Sequence, residues 1–177
     1  MKKENIDFVS EYDMKLAAAF YVLGKLISAD LPGIAENALS QGADTPSLRI
    51  LAGEQNPIMA EVGPLFEKCL SEMNVPKPDK DAAAFEVSRF YARKIVRKEL
   101  TPYIGARAIW WKVANEVKKR SILRHFIGAA SEIEEFPMRT REDGIDRRQL
   151  RIDEELKIIS LADELLKMEK PGQMFET

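Results

Sequence analysis

Proline and glycine cut this chain into short segments, and most segments repeat their apolar residues at helical spacing. A period of 3.6 gives a helix one face for a core, whereas a half-buried strand needs a period of two. Leu16, Phe20, Leu23 and Ile27 share one face of an expected helix from Asp13 to Ser28, with Ala19 and Leu26 at its edge. Asp30-Leu31-Pro32 restarts the chain, with Pro32 expected at the first helical position, and that helix should end near Gly42. Asp44-Thr45-Pro46 is a second cap-and-proline start, closed by Gly53. Asn56-Pro57 opens the next segment and Gly63-Pro64 interrupts it, which leaves a helix from Leu65 to Met73.

Pro76 and Pro78 form a rigid connector to a long helix that Asp79 or Asp81 caps and that runs to Lys98. Thr101-Pro102 starts a helix to Lys119, Ser121 starts one to Phe136, and Pro137 stops it. Residues 138–145 read as a loop, and a last helix covers Asp146 to Met168, ended by Pro171-Gly172. No period-two alternation is sustained and no hairpin dipeptide joins β-branched runs. The expected fold is all-α: a single domain over residues 13–170, an irregular bundle of about seven or eight helices, with tails at 1–12 and 171–177. About two thirds of the chain would be helical, twice the usual share.

The longest apolar stretch, Leu16 to Leu23, is far too short to span a bilayer. No apolar run of the length a secretory leader requires follows Met1-Lys2-Lys3-Glu4-Asn5, so the expected location is cytoplasmic, away from membranes. Cys69 is the single cysteine, which rules out an internal disulfide. It falls within an amphipathic pattern and is expected to be a buried, inert thiol.

Catalytic chemistry finds no motif. The one histidine, His125, has no carboxylate three or four positions away on its helix. Glu132 shares its edge but lies about 10 Å along the axis. His125 is therefore expected to be a satisfied structural residue. No serine has a Gly-x-Ser-x-Gly setting, and no glycine-rich phosphate cradle occurs. The short acidic cluster Glu132, Glu134 and Glu135 reads as a solvated helix end. The expectation is a protein that is not an enzyme and has no cofactor or metal.

Charge is segregated instead. Residues 89–124 hold eleven Lys or Arg against Glu99 and Glu116, a net +9 between flanks of −6 and −5. Such segregation bears on association, not on fold. On the helix of residues 82–98, Ala84, Phe85, Val87, Tyr91, Ala92, Ile95 and Val96 make the core face. Phe90 lies nearly opposite, among Glu86, Arg93 and Arg97. Phe90 is then either a stacking platform or a residue covered by another helix. In the next helix Tyr103, Ala106, Trp110, Val113 and Val117 form the core stripe, while Ile104, Ala108 and Trp111 form a second one beside Arg107 and Lys118. Adjacent tryptophans point about 100° apart on an α-helix. Trp110 should therefore be nearly fully buried, with Trp111 at an interface or against a second layer. The last helix is apolar over a wide arc: Ile152, Leu156, Ile159 and Leu166 on one side, Ile158, Leu161 and Leu165 on another. Burial between elements and a dimer seam are the two readings of that arc.

Four stretches taken together carry a resemblance: Leu31-Pro32 through Ala38-Leu39, Asp44 to Gly53, Pro102 to Trp110, and Leu123 to Glu132. In this order they resemble a group of uncharacterised helical bacterial proteins, over roughly residues 15–135. The resemblance implies an all-helical bacterial protein and carries no catalytic residues. By class alone, immunity proteins of toxin systems are also small, acidic and helical.

The expected role is a non-enzymatic interaction protein of the cytoplasm, of immunity or regulatory type. It would bind another protein, or itself, through Phe90, Arg93, Arg97, Arg107, Trp111 and Lys118. The alternative is nucleic-acid binding by the basic segment 89–124, with Arg93, Arg97, Lys118, Lys119 and Arg124 on phosphates and Phe90 or Trp111 stacking. An acidic isoelectric point of about 5.7 argues against that alternative.

Overall fold

A computed structural model of the chain describes residues 11–118, 121–135 and 147–175. The fold is all-α, with eight α-helices and no strand among the described residues, as the periodicity requires. The helices group into two compact units, one ending at Asp79 and the other beginning at Lys80.

The first unit holds α1 (Met14–Val22), α2 (Asp30–Ser40), α3 (Pro46–Ala52) and α4 (Met59–Glu72). Asp13 caps α1 by accepting the Leu16 N–H at 2.7 Å. The helix stops at Gly24, well before the expected Ser28. Gly24 takes φ +66°, its N–H reaches Tyr21 O at 2.9 Å, and Lys25 N–H reaches Phe20 O at 2.9 Å. That pair of bonds is a Schellman stop. Ile27 thereby leaves the core stripe and is 65% exposed, while Leu26 is buried. Pro32 enters α2 as its third residue, not its first, and lacks an N–H that would have had no intrahelical partner anyway.

α4 corrects a second expectation, because it runs unbroken through Gly63-Pro64. Gly63 has no Cβ to meet the Pro64 ring, which removes much of the bar to helical backbone before proline. The hydroxyl of Tyr21 lies 3.0 Å from where that Cβ would be, so Gly63 also admits the Tyr21 ring. Phe20, Leu31, Ile34, Leu48, Leu51 and Phe66 are fully buried. Tyr12 stacks on Phe20 with ring centroids 4.5 Å apart. At the start of α3, Glu72 accepts from Ser47 N–H at 3.1 Å and from Ser47 Oγ–H at 2.7 Å. Both hydrogen bonds hold the Glu72 pKa below the usual carboxylate value. The buried Cys69 thiol is pushed up to about 11, chiefly by desolvation, so it stays protonated and inert at neutral pH.

The second unit holds α5 (Lys80–Val96), α6 (Pro102–Ile109), a π-helical turn (Trp110–Ala114), α7 (Ser121–Glu135), α8 (Arg147–Lys167) and a closing 3₁₀ turn (Pro171–Met174). α5 packs against α6, α8 and the closing turn, and α7 packs against α6 and α8. Ile109, Leu123, Phe126, Ile158, Leu165 and Met174 are fully buried. The C-terminus of α5 repeats the Schellman stop, with Lys98 at φ +60° in place of a glycine. Lys98 N–H reaches Ile95 O at 3.0 Å and Glu99 N–H reaches Lys94 O at 2.9 Å. The two sides of the α8 arc separate: Ile158, Leu161 and Leu165 are buried, whereas Ile152 and Leu156 are exposed. No helix among the described residues is long and apolar enough to cross a membrane.

Candidate functional site

α6 is built by short-range chemistry. Thr101 caps it, its hydroxyl accepting the Ile104 N–H at 3.4 Å, and Pro102 occupies the first turn. Gly105 faces α5, where a Cβ would overlap Cγ1 and Cδ1 of Ile95. This close seat buries Ala106 and Ile109 and leaves Tyr103 and Arg107 on the outer row. Glu134, near the end of α7, joins those two. It accepts the Tyr103 hydroxyl at 2.9 Å and stands 3.6 Å from Arg107 Nε. The Tyr103 hydroxyl is held above its usual pKa, first by burial and then by the Glu134 hydrogen bond and charge. It therefore remains a donor at neutral pH.

At Trp110 the helix widens into the π turn. A π turn places more residues in each turn than an α-helix and shifts the phase of the residues after it. Val113 and Ala114 both become buried. Trp110 is half-buried, not nearly fully buried as the α-helical phase requires. The two tryptophans do not diverge by 100°. Their rings stack, with centroids 5.7 Å apart and planes 22° from parallel. Trp111 is 55% exposed. Tyr103, Arg107 and Trp111 thus succeed one another at four-residue spacing along one row, ending on a stacked indole pair.

The other sequence candidates divide. Phe90 is not a stacking platform: it is buried at 6% exposure, with the edge of Tyr91 5.2 Å away and Lys94 Nζ 5.2 Å above its ring. The physical reason is that α5 is covered on more than one side, so a residue opposite its main core face is covered too. Val96, placed on that core face, is exposed instead. Lys94 is itself buried, its ammonium 3.0 Å from Glu99 Oε2. Arg89 donates to the Met168 carbonyl and lies over the Phe85 ring at 5.2 Å. Arg97 is exposed and 3.9 Å from Glu99, and Arg93 is half-buried. Lys118 is exposed just beyond the π turn, and Arg124 is exposed on α7. Lys119, Arg120, Phe136, the stop at Pro137 and the loop 138–145 lie outside the described residues. Arg89, Lys94, Arg97 and Arg107 of the basic middle are therefore engaged within their own unit.

Tyr103 and Glu134 are the site residues that sequence reasoning missed. No local signal pairs them, because they come together only when α6 packs on α7; the conflict between the two apolar stripes around Trp110-Trp111 signalled the π turn alone. Glu134, read as part of a solvated helix end, bridges two helices. His125 is exposed on α7. Among the described residues no three His, Cys, Asp or Glu side chains converge as metal ligands. No family model, no curated protein and no solved structure matches this chain.

Proposed function

We propose that this chain is a non-enzymatic interaction protein of the bacterial cytoplasm, immunity-type or regulatory, which binds another protein through the row Tyr103, Arg107 and Trp111. The observation that carries this reading is the exposed Trp111 on a π turn, stacked on Trp110. π turns occur frequently at functional sites. Tryptophan, tyrosine and arginine are the residues over-represented among interface hot spots. Glu134 holds the Tyr103 hydroxyl by a hydrogen bond, which lowers the entropy lost at that residue when a partner docks.

Photo-crosslinking in the producing cells tests it. Benzoylphenylalanine at Trp111 is expected to give a discrete heavier adduct, and the same group at exposed Glu164 on α8 is not. Equal adducts at both positions, or none at Trp111, overturn the reading. The second reading is nucleic-acid binding, favoured by the same stacked indole pair in a basic stretch of the chain that includes Lys112 and Lys118. It requires a mobility shift at low salt that weakens steeply as salt rises.

A further inference from the structure

Resting on the Trp111 surface, we infer that the partner segment it takes is acidic, with Asp or Glu beside an apolar anchor. α6 begins beside the end of α7, because Tyr103 and Arg107 both meet Glu134. The π turn after α6 still packs on α7. Only residues 115–120 separate the π turn from Ser121, so the tryptophan end of the row lies toward the start of α7, where Arg124 stands. Lys112, Lys118 and Arg124 belong to that end, against Glu116 alone among the described acids between 108 and 124. Glu134 holds Arg107 through Nε, and about half of that side chain, 49%, stays open to solvent.

An apolar side chain of the partner covers Trp111, and its carboxylates meet the cations beyond. Complementary charge of this kind speeds encounter and rejects partners of the wrong sign. A phosphate backbone fits less well. It brings a charge with every nucleotide and would meet Glu134 within the row, whereas a peptide can place its acids only where cations lie.

Selection of short random peptides displayed on phage against the full chain, with later removal of those that also bind Trp111→Ala, tests both statements separately. The Trp111-dependent peptides are expected to be net negative and to bind Lys112→Glu/Lys118→Glu roughly tenfold more weakly. Trp111-dependent peptides that are neutral or basic overturn the acidic partner and leave the surface standing. A selection with no Trp111-dependent peptide overturns the surface as well. A fluorescein-labelled oligothymidine that binds the wild type and not Trp111→Ala assigns the platform to nucleic acid and overturns the inference. Circular dichroism of each variant checks that its helices are intact.

Discussion

Gly105 of α6 lies so close to Ile95 of α5 that a single methyl group at its Cα would overlap Cγ1 and Cδ1 of the isoleucine. Ile95 is buried and β-branched, so its side chain cannot swing away. The helix that carries Tyr103, Arg107 and Trp111 is seated by this contact. Gly105→Ala should therefore destabilise the protein by about 1–3 kcal/mol despite the better helix propensity of alanine. Ile95→Ala removes both overlapped atoms, so the double variant should lose clearly less than the sum of the two single losses. Urea unfolding of the three variants measures this. An additive result would mean that the overlap is relieved elsewhere.

Lys98 carries the opposite burden, because it holds a left-handed backbone in a position that glycine usually fills. Its own side chain is exposed, so little is lost with it. Lys98→Gly should stabilise the protein by about 0.5–1 kcal/mol, the relief of the Cβ penalty less the entropy cost of glycine. Thermal unfolding checks this, and a lower midpoint would contradict it.

The helix starts at Asp13, Thr45 and Thr101 were legible in the sequence because a cap needs only a side chain and the N–H three residues on. The all-α class was legible for a related reason, since periodicity survives whatever the packing is. Features set by distant partners were not. Pro64 continues its helix because Gly63 precedes it and Tyr21 fills the space beside it. Lys94 is buried because Glu99 folds back past the Schellman stop to meet it. Phe90, which the wheel left as either a platform or a covered residue, is buried because α5 is covered on several sides. At the candidate site the sequence left Trp111 between an interface and a second layer, and only the packed structure shows it 55% exposed. The bridge from Glu134 was not legible either, because residues 103 and 134 come together only when α6 packs on α7.

Acid should act through Glu72. Its carboxylate accepts two hydrogen bonds from Ser47 at the start of α3, and its folded pKa lies below the ordinary 4.5. The unfolded chain therefore takes up this proton first as pH falls. The stabilisation is complete above about pH 4.5 and is lost as pH drops through the lower folded value. Glu72→Gln should reduce stability at neutral pH and flatten its decline between neutral and acid pH. Denaturant midpoints measured for both proteins across that range decide the matter. A variant that keeps the wild-type acid slope would exclude Glu72 as a source of it.

The tryptophan pair provides a stability measurement that needs no partner. A fully buried large aromatic costs about 3–5 kcal/mol on truncation to alanine. Trp110 is half-buried on the π turn, so Trp110→Ala should cost less, about 2 kcal/mol. Trp111 keeps most of its surface in water and touches Trp110 with one face, so Trp111→Ala should cost under about 1 kcal/mol, the scale of an aromatic pair. Iodide quenching should keep the same order: with one indole left in each variant, Trp111 is quenched more strongly than Trp110. Because the rings stack, removing either should also alter the near-ultraviolet circular dichroism of the other by more than the loss of one chromophore. Equal quenching of both indoles in a monomer, or a cost for Trp111→Ala as large as that for Trp110→Ala, would show that Trp111 is covered by the chain itself. It would then not be available to a partner.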